Sequence, residues 1–198
     1  MEKTKKKQVQ QELPETGALK KELKRERYRR RFRRLLRSTV NALIVVAAVA
    51  ALVATLLLPV LQITGTSMEP NLNEGDIVLL VKKNNLKTGE LCAFYYSNKI
   101  LIKRVIGTPG DYIWIESDGT VFLNGEPLDE PYVTEKALGE CDVQFPYQVP
   151  ENNYFVLGDH RETSIDSRSS VIGCIAEDQI VGMIFCKIWP LSEFTFLK

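Results

Sequence analysis

Histidine is nearly missing from this sequence: His160 is the only one among 198 residues. Cysteine is sparse too, and Cys92, Cys141, Cys174 and Cys186 form no CxxC pair. One imidazole and four scattered thiols do not supply a Cys/His zinc site at the usual spacings. No metal and no cofactor are therefore expected. Nothing in the cysteine spacing demands a disulfide, and free thiols are the expectation. Charge is absent from Ser38 to Met68. Past residue 62, no stretch of 12 residues carries the apolar period of an amphipathic helix.

Charge that is missing from the middle is concentrated at the ends. Residues 1–37 hold 15 Lys and Arg against 5 Glu, a net +10. The other residues hold 11 basic and 20 acidic side chains, a net −9, so the overall +1 describes neither part. The uncharged core ALIVVAAVAALVATLLLPVL (42–61) is 20 residues of Ala, Val, Leu and Ile broken only by Thr55 and Pro59. As a helix it is about 30 Å long, the thickness of a bilayer's hydrocarbon layer. Its basic lead is longer than that of a cleaved signal sequence, as is its apolar run. A single uncleaved transmembrane helix over 38–61 is expected in the cell membrane.

KKELKRERYRRRFRRLLR (20–37) adjoins the span, and basic residues beside a span stay in the cytoplasm. Residues 1–37 are thus expected as a cytoplasmic tail, flexible or loosely helical before about residue 24. Residues 62–198 are then extracytoplasmic. Lipid head groups account for the basic block more economically than nucleic acid does, so no nucleic-acid partner is expected. LPETG (13–17) has the form of a sortase signal, which sits near a carboxyl end followed by an apolar span and then basic residues; here it lies near the amino end and the basic block precedes the span. It is read as a chance match.

After the span the period changes to that of strands. DIVLLVKK (76–83), ELCAFYYS (90–97), KILIKRVIG (99–107), YFVLGD (154–159) and VGMIFCKIWP (181–190) are apolar, β-branched runs bounded by polar turns. DYIWIE (111–116) and TVFLNGEPL (120–128) flank SDG and predict a hairpin. Residues 129–153 read as a long loop or small subdomain. The expected fold is an all-β catalytic domain, mostly antiparallel, behind one amino-terminal transmembrane helix.

Two stretches carry candidate chemistry. In TGTSMEP (64–70), Ser67 stands between Gly65, which permits unusual backbone, and rigid Pro70. In KILIKRVIG, strand alternation puts Lys103 on one face with Leu101 and Val105, and Arg104 on the other with Ile102 and Ile106. An ammonium among aliphatic neighbours is disfavoured relative to the amine, which lowers its pKa. A neutral amine near a serine hydroxyl is a competent base.

TSMEP, GDIV (75–78), KRVIGTPGD and GDHRETSIDSR (158–168), in this order, resemble the bacterial type I signal peptidases, Gram-positive branch. VFLNGEPLDEPY and VPENNYFVLGD add to the resemblance, which runs from the span to about Trp189. It implies a serine–lysine endopeptidase that cuts signal peptides from membrane-bound preproteins at Ala-x-Ala-like sites through an acyl-enzyme. It implies Ser67 as nucleophile, Lys103 as general base and Ser164 as the hydroxyl that orients the lysine. Arg104 with Asp159, and Asp166 with Arg168, correspond to structural ion pairs. Gly65 stands where some members have a serine that adds an oxyanion donor, so another group or a water is expected to substitute. The partners implied are preproteins and the lipid bilayer, and no oligomeric state is set.

His160 stands where the family usually has asparagine. The apparent Asp–His–Ser grouping in GDHRETSIDSR is therefore read as false, with His160 a loop residue. Self-cleaving serine–lysine repressors share the dyad logic but lack a membrane anchor. A non-catalytic relative that assists assembly of surface proteins or pili is the alternative of another class.

Overall fold

The computed structural model describes residues 16–57, 59–83 and 85–197. It divides into a helical unit and a β unit. The first, up to Ala54, holds all but the last three residues of the helix α1, Thr16–Leu57, of 42 residues. It is long and apolar enough to cross a membrane. Leu43, Ile44, Val45 and Val46 are exposed along it, an apolar surface that lipid would cover. Basic residues 20–37 belong to the same helix, so the tail is helical from Thr16 rather than loose. Leu13, Pro14 and Glu15 of LPETG lie outside the described residues.

The helix ends at Leu57, four residues before the expected limit of the span. Pro59 accounts for this: it lacks an N–H and disfavours helical backbone just before it. The apolar run then continues as a strand, β1 (Val60–Gln62), which pairs antiparallel with β2 (Ile77–Val81).

Every apolar run expected as a strand contributes one. They are β2, β3 (Leu91–Tyr96), β4 (Lys99–Gly107), β5 (Tyr112–Ile115), β6 (Val121–Leu123), β9 (Asn153–Leu157) and β11 (Ile180–Trp189). TVFLNGEPL yields two strands rather than one. β6 turns at Asn124–Gly125, both at positive φ, into β7 (Glu126–Pro127). Short β8 (Tyr147–Gln148), β10 (Ile175–Ala176) and β12 (Thr195–Phe196) complete the set. Among the described residues of this unit, the only helical segments are two three-residue 3-10 turns.

The larger sheet runs β1-β2-β11-β3-β4-β9-β10, with β12 also on β11, and the smaller runs β7-β6-β5-β8. All the pairings are antiparallel. Three apolar clusters fill the unit. One holds Ile63, Met68, Leu72 and Val78, a second Cys92, Phe94, Val105 and Val156, a third Ile106, Ile113, Phe155 and Leu157. One detail positions the site. β4 pairs with β3 along residues 99–104 but meets β9 only from Arg104 onward. Lys103 therefore lies where one side of β4 has just lost its neighbouring strand. Residues 129–152 contain only β8 among regular elements, and their irregular backbone packs against the 158–168 segment through side-chain bonds from Arg161 and Arg168.

Candidate active site

Ser67 sits in the turn between β1 and β2. Met68 and Leu72, both buried, anchor that turn in the first apolar cluster, and Leu72 N–H donates to Met68 C=O at 2.9 Å. Ser67 itself is half-buried. Gly65 has φ +87°, a backbone region that side-chain-bearing residues rarely adopt, with open space where a Cβ would lie. The backbone thus explains why glycine stands at this position. On the other side, the His160 N–H donates to the Ser67 carbonyl at 3.1 Å. Among the described residues the Ser67 N–H donates to no protein group.

Lys103 is only 4% exposed. It does not snorkel to water as a strand-edge lysine often does. Its Nζ donates to Ser164 Oγ at 2.9 Å, and among the described residues it forms no ion pair. Burial pushes its pKa down from 10.5 to about 8; the Asp166 charge opposes this, Arg168 reinforces it and Asp159 opposes it. A second buried lysine shows what a carboxylate contact changes. Lys187 pairs with Asp76 at 3.1 Å and Glu193 at 2.9 Å. Burial lowers its pKa as well, but hydrogen bonds and charge from Glu193 and Asp76 outweigh burial and raise it. Lys103 is the lysine held ready to lose its proton.

Ser67 and Lys103 line one cleft of about 430 Å³, with Ile63, Gly65, Met68 and Ile102 among its walls. Ser164 reaches Lys103 because of a neighbouring glycine. A Cβ on Gly158 would overlap the Ser164 side chain and lie 2.6 Å from the Ser67 carbonyl oxygen. Gly158 thus lets the segments carrying Ser67 and Ser164 close on each other. Spacing alone offered no sign of this role.

Both expected ion pairs form, and both are buried. Arg104 Nε and Nη2 meet Asp159 Oδ1 and Oδ2 at 2.8 and 2.6 Å, while Nη1 donates to the Gly89 carbonyl. The Arg104 guanidinium also lies 3.8 Å from the centre of the Tyr132 ring. Arg168 Nε and Nη2 each meet Asp166 at 2.8 Å. Its remaining N–H groups reach the carbonyls of Leu138 at 2.6 Å and Arg161 at 2.8 Å. Asp166 in turn accepts from the Gly158 N–H at 2.9 Å. A third buried pair, Arg161 with Glu130, was not foreseen. No local pattern links two residues 31 positions apart in loops.

His160 does not line the cleft of Ser67 and Lys103. Its Nδ1 is 2.8 Å from Thr163 Oγ1, a local loop bond. The four cysteines are free thiols, with Cys92 and Cys186 buried. Cys92 lies opposite Lys103 across the β3–β4 ladder, and burial pushes its thiol up to about 12.

The sequence-family model described as "Signal peptidase, peptidase S26" matches residues 36–189. The chain belongs to the signal peptidase family. It is 38% identical over 154 residues to signal peptidase IB of Staphylococcus aureus (strain MRSA252), covering 68% of this chain and 79% of that one. It is 35% identical to signal peptidase I T of Bacillus subtilis (strain 168), covering 69% and 76%. A solved signal peptidase I from Enterococcus faecalis V583 superposes with a TM-score of 0.41 at 28% identity, over 50% of this chain and 96% of that one. As a family member the peptidase is a serine endopeptidase anchored at a membrane.

Proposed function

We propose that Ser67 and Lys103 form the catalytic dyad with which this peptidase removes signal peptides. The chain is a signal-peptide-removing enzyme of the serine class, and its substrates are preproteins. The observation that carries the dyad is the buried, carboxylate-free amine of Lys103 in the same cleft as Ser67.

In the reaction, Lys103 Nζ takes the proton of Ser67 Oγ as that oxygen attacks the scissile carbonyl carbon. The tetrahedral oxyanion accepts from the Ser67 N–H, which no protein group occupies among the described residues. The Lys103 ammonium then gives the proton to the leaving nitrogen, and the C–N bond breaks to leave an ester on Ser67. Water attacks the ester, Lys103 taking its proton, and the signal peptide leaves with a free carboxylate while Ser67 recovers its hydrogen. Ser164 holds the amine throughout. Arg104–Asp159 and Asp166–Arg168 act as braces.

The open side of β4 at residues 99–103 lies along the cleft, where an extended peptide adds as a strand. The aliphatic wall of Ile63, Met68 and Ile102 suits small apolar residues, as in an Ala-x-Ala pattern. The basic block supports a cytoplasmic amino end (1–37), a span beginning near residue 38 and an extracytoplasmic part from about 62. No observation favours a non-catalytic assembly factor.

The test is to trap the ester. Enzyme and preprotein are quenched in acid within one turnover and digested, and the masses of the fragments are read. The signal-peptide mass is expected on the fragment holding Ser67; an adduct on another residue would refute the assignment.

A further inference from the structure

Ser67 stands at the seam between two clefts. The first is the one it shares with Lys103. Two and three residues further along the turn, Glu69 and Pro70 line the second, of about 560 Å³. Its other walls come from residues 134–137 and 159–162. The His160 N–H bond to the Ser67 carbonyl ties one wall to the nucleophile's own backbone. The far wall is fixed by a buried side chain: Arg168 Nη1 donates to the carbonyls of Ala137 at 3.2 Å and Leu138 at 2.6 Å. The backbone of Ala137 also packs where Gly119 leaves no room for a Cβ.

The two clefts differ in chemistry. The first is lined by Ile63, Met68, Ile100 and Ile102 together with Lys99 and Lys103 and, among the described residues, by no carboxylate. In the second, Asp159 is neutralised by Arg104, and Arg161 by Glu130. Glu69, Glu135 and Glu162 have no ion-pair partner among the described residues, and Lys136 is the one cation left to offset them. A preprotein has the same division. The segment before the cut is apolar, and the mature chain after it is polar and bound for water.

We propose that the second cleft receives the first residues of the mature chain, on the leaving-amine side of the scissile bond. Its three unpaired carboxylates favour a basic residue there over an acidic one. This rests on Ser67 being the nucleophile, since Ser67 defines the seam. It also gives the 129–153 segment a purpose, as a substrate wall held by the buried arginine brace.

The test is a competition. Full-length enzyme in detergent micelles receives two peptides together, identical except for Lys or Glu at one position, taken in turn from the second to the fifth after the cut. The product ratio equals the ratio of kcat/KM and does not depend on how much enzyme is folded. At low ionic strength Lys is expected to win by roughly fivefold at one position or more. The preference is expected to fade in about 0.5 M salt. The combined variant Glu135→Lys, Glu162→Lys is expected to abolish or invert it. Equal cleavage at every position, or a Lys preference unchanged in that variant, overturns the proposal. A parallel Ser67→Ala reaction keeps the two readings apart. Persistent cleavage there would sink the nucleophile assignment, whereas its loss alongside equal Lys and Glu cleavage would sink the cleft alone.

Discussion

Lys103 Nζ donates to Ser164 Oγ at 2.9 Å, and no carboxylate touches that amine among the described residues. A lysine normally charged at neutral pH is thus held by a neutral acceptor in a buried place. Cys92 lies opposite it on β3, and the Asp166 and Asp159 charges act on it without forming an ion pair. The main consequences of this arrangement are measurable.

In the proposed mechanism only the neutral amine accepts the Ser67 proton, and burial lowers the Lys103 pKa to about 8. kcat/KM is expected to climb about tenfold per pH unit below 8 and to level off above it. An ordinary lysine would place the bend near 10.5. A flat profile between pH 6 and 9 would count against Lys103 as the base.

Stability should move the other way from activity when Lys103 is replaced. Its folded pKa is depressed, so below about pH 8 the folded state bears the full cost of a buried ammonium. That cost is relieved as pH rises from about 8 to 10.5, where the unfolded chain still binds the proton, and is gone above. The shift corresponds to about 3 kcal/mol, and losing the bond to Ser164 returns about 1 kcal/mol of it. Lys103→Met should therefore be inactive, yet more stable by about 2 kcal/mol at pH 7, with the gain vanishing above pH 10.5. Denaturant unfolding at both pH values checks this.

Ser164→Ala removes the acceptor that aims the amine while leaving Ser67 and Lys103 in place. kcat is expected to fall by about 10- to 100-fold with little change in KM, since no substrate contact is lost. Ser164→Thr keeps a hydroxyl and should recover part of the loss. A change confined to KM would mean that Ser164 contacts substrate instead.

Gly158→Ala tests the closure of the two segments. Its Cβ would collide with Ser164 and press on the Ser67 carbonyl. A loss of about 1–3 kcal/mol of stability is expected, with activity falling further than that loss explains. Unfolding curves and initial rates on the same preparation separate the two effects. Wild-type rates with normal stability would mean that the backbone yields more easily than this packing implies.

Much of the β unit was legible because its strands are long apolar runs between turns, as in Leu91–Tyr96 and Lys99–Gly107. β1 was hidden because Val60 and Leu61 continue the composition of the span, and only Pro59 marks the change. β8, β10 and β12 are two residues each and exist through their partners' register, which no local pattern encodes. The placement of Lys103 was legible from strand alternation, since Leu101 and Val105 do share a cluster. Its depth was not, because that depends on Ser164, 61 residues further along the chain, which packs against Gly158. Arg161–Glu130 and the second cleft were invisible for the same reason: both are assembled from loops that meet only in three dimensions.

The central claim is that Ser67 is the attacking nucleophile. The most direct measurement is preprotein processing by full-length Ser67→Ala enzyme in proteoliposomes, with the folded fraction matched to wild type. No mature product above the enzyme-free background is predicted. Processing at the wild-type rate would contradict the claim.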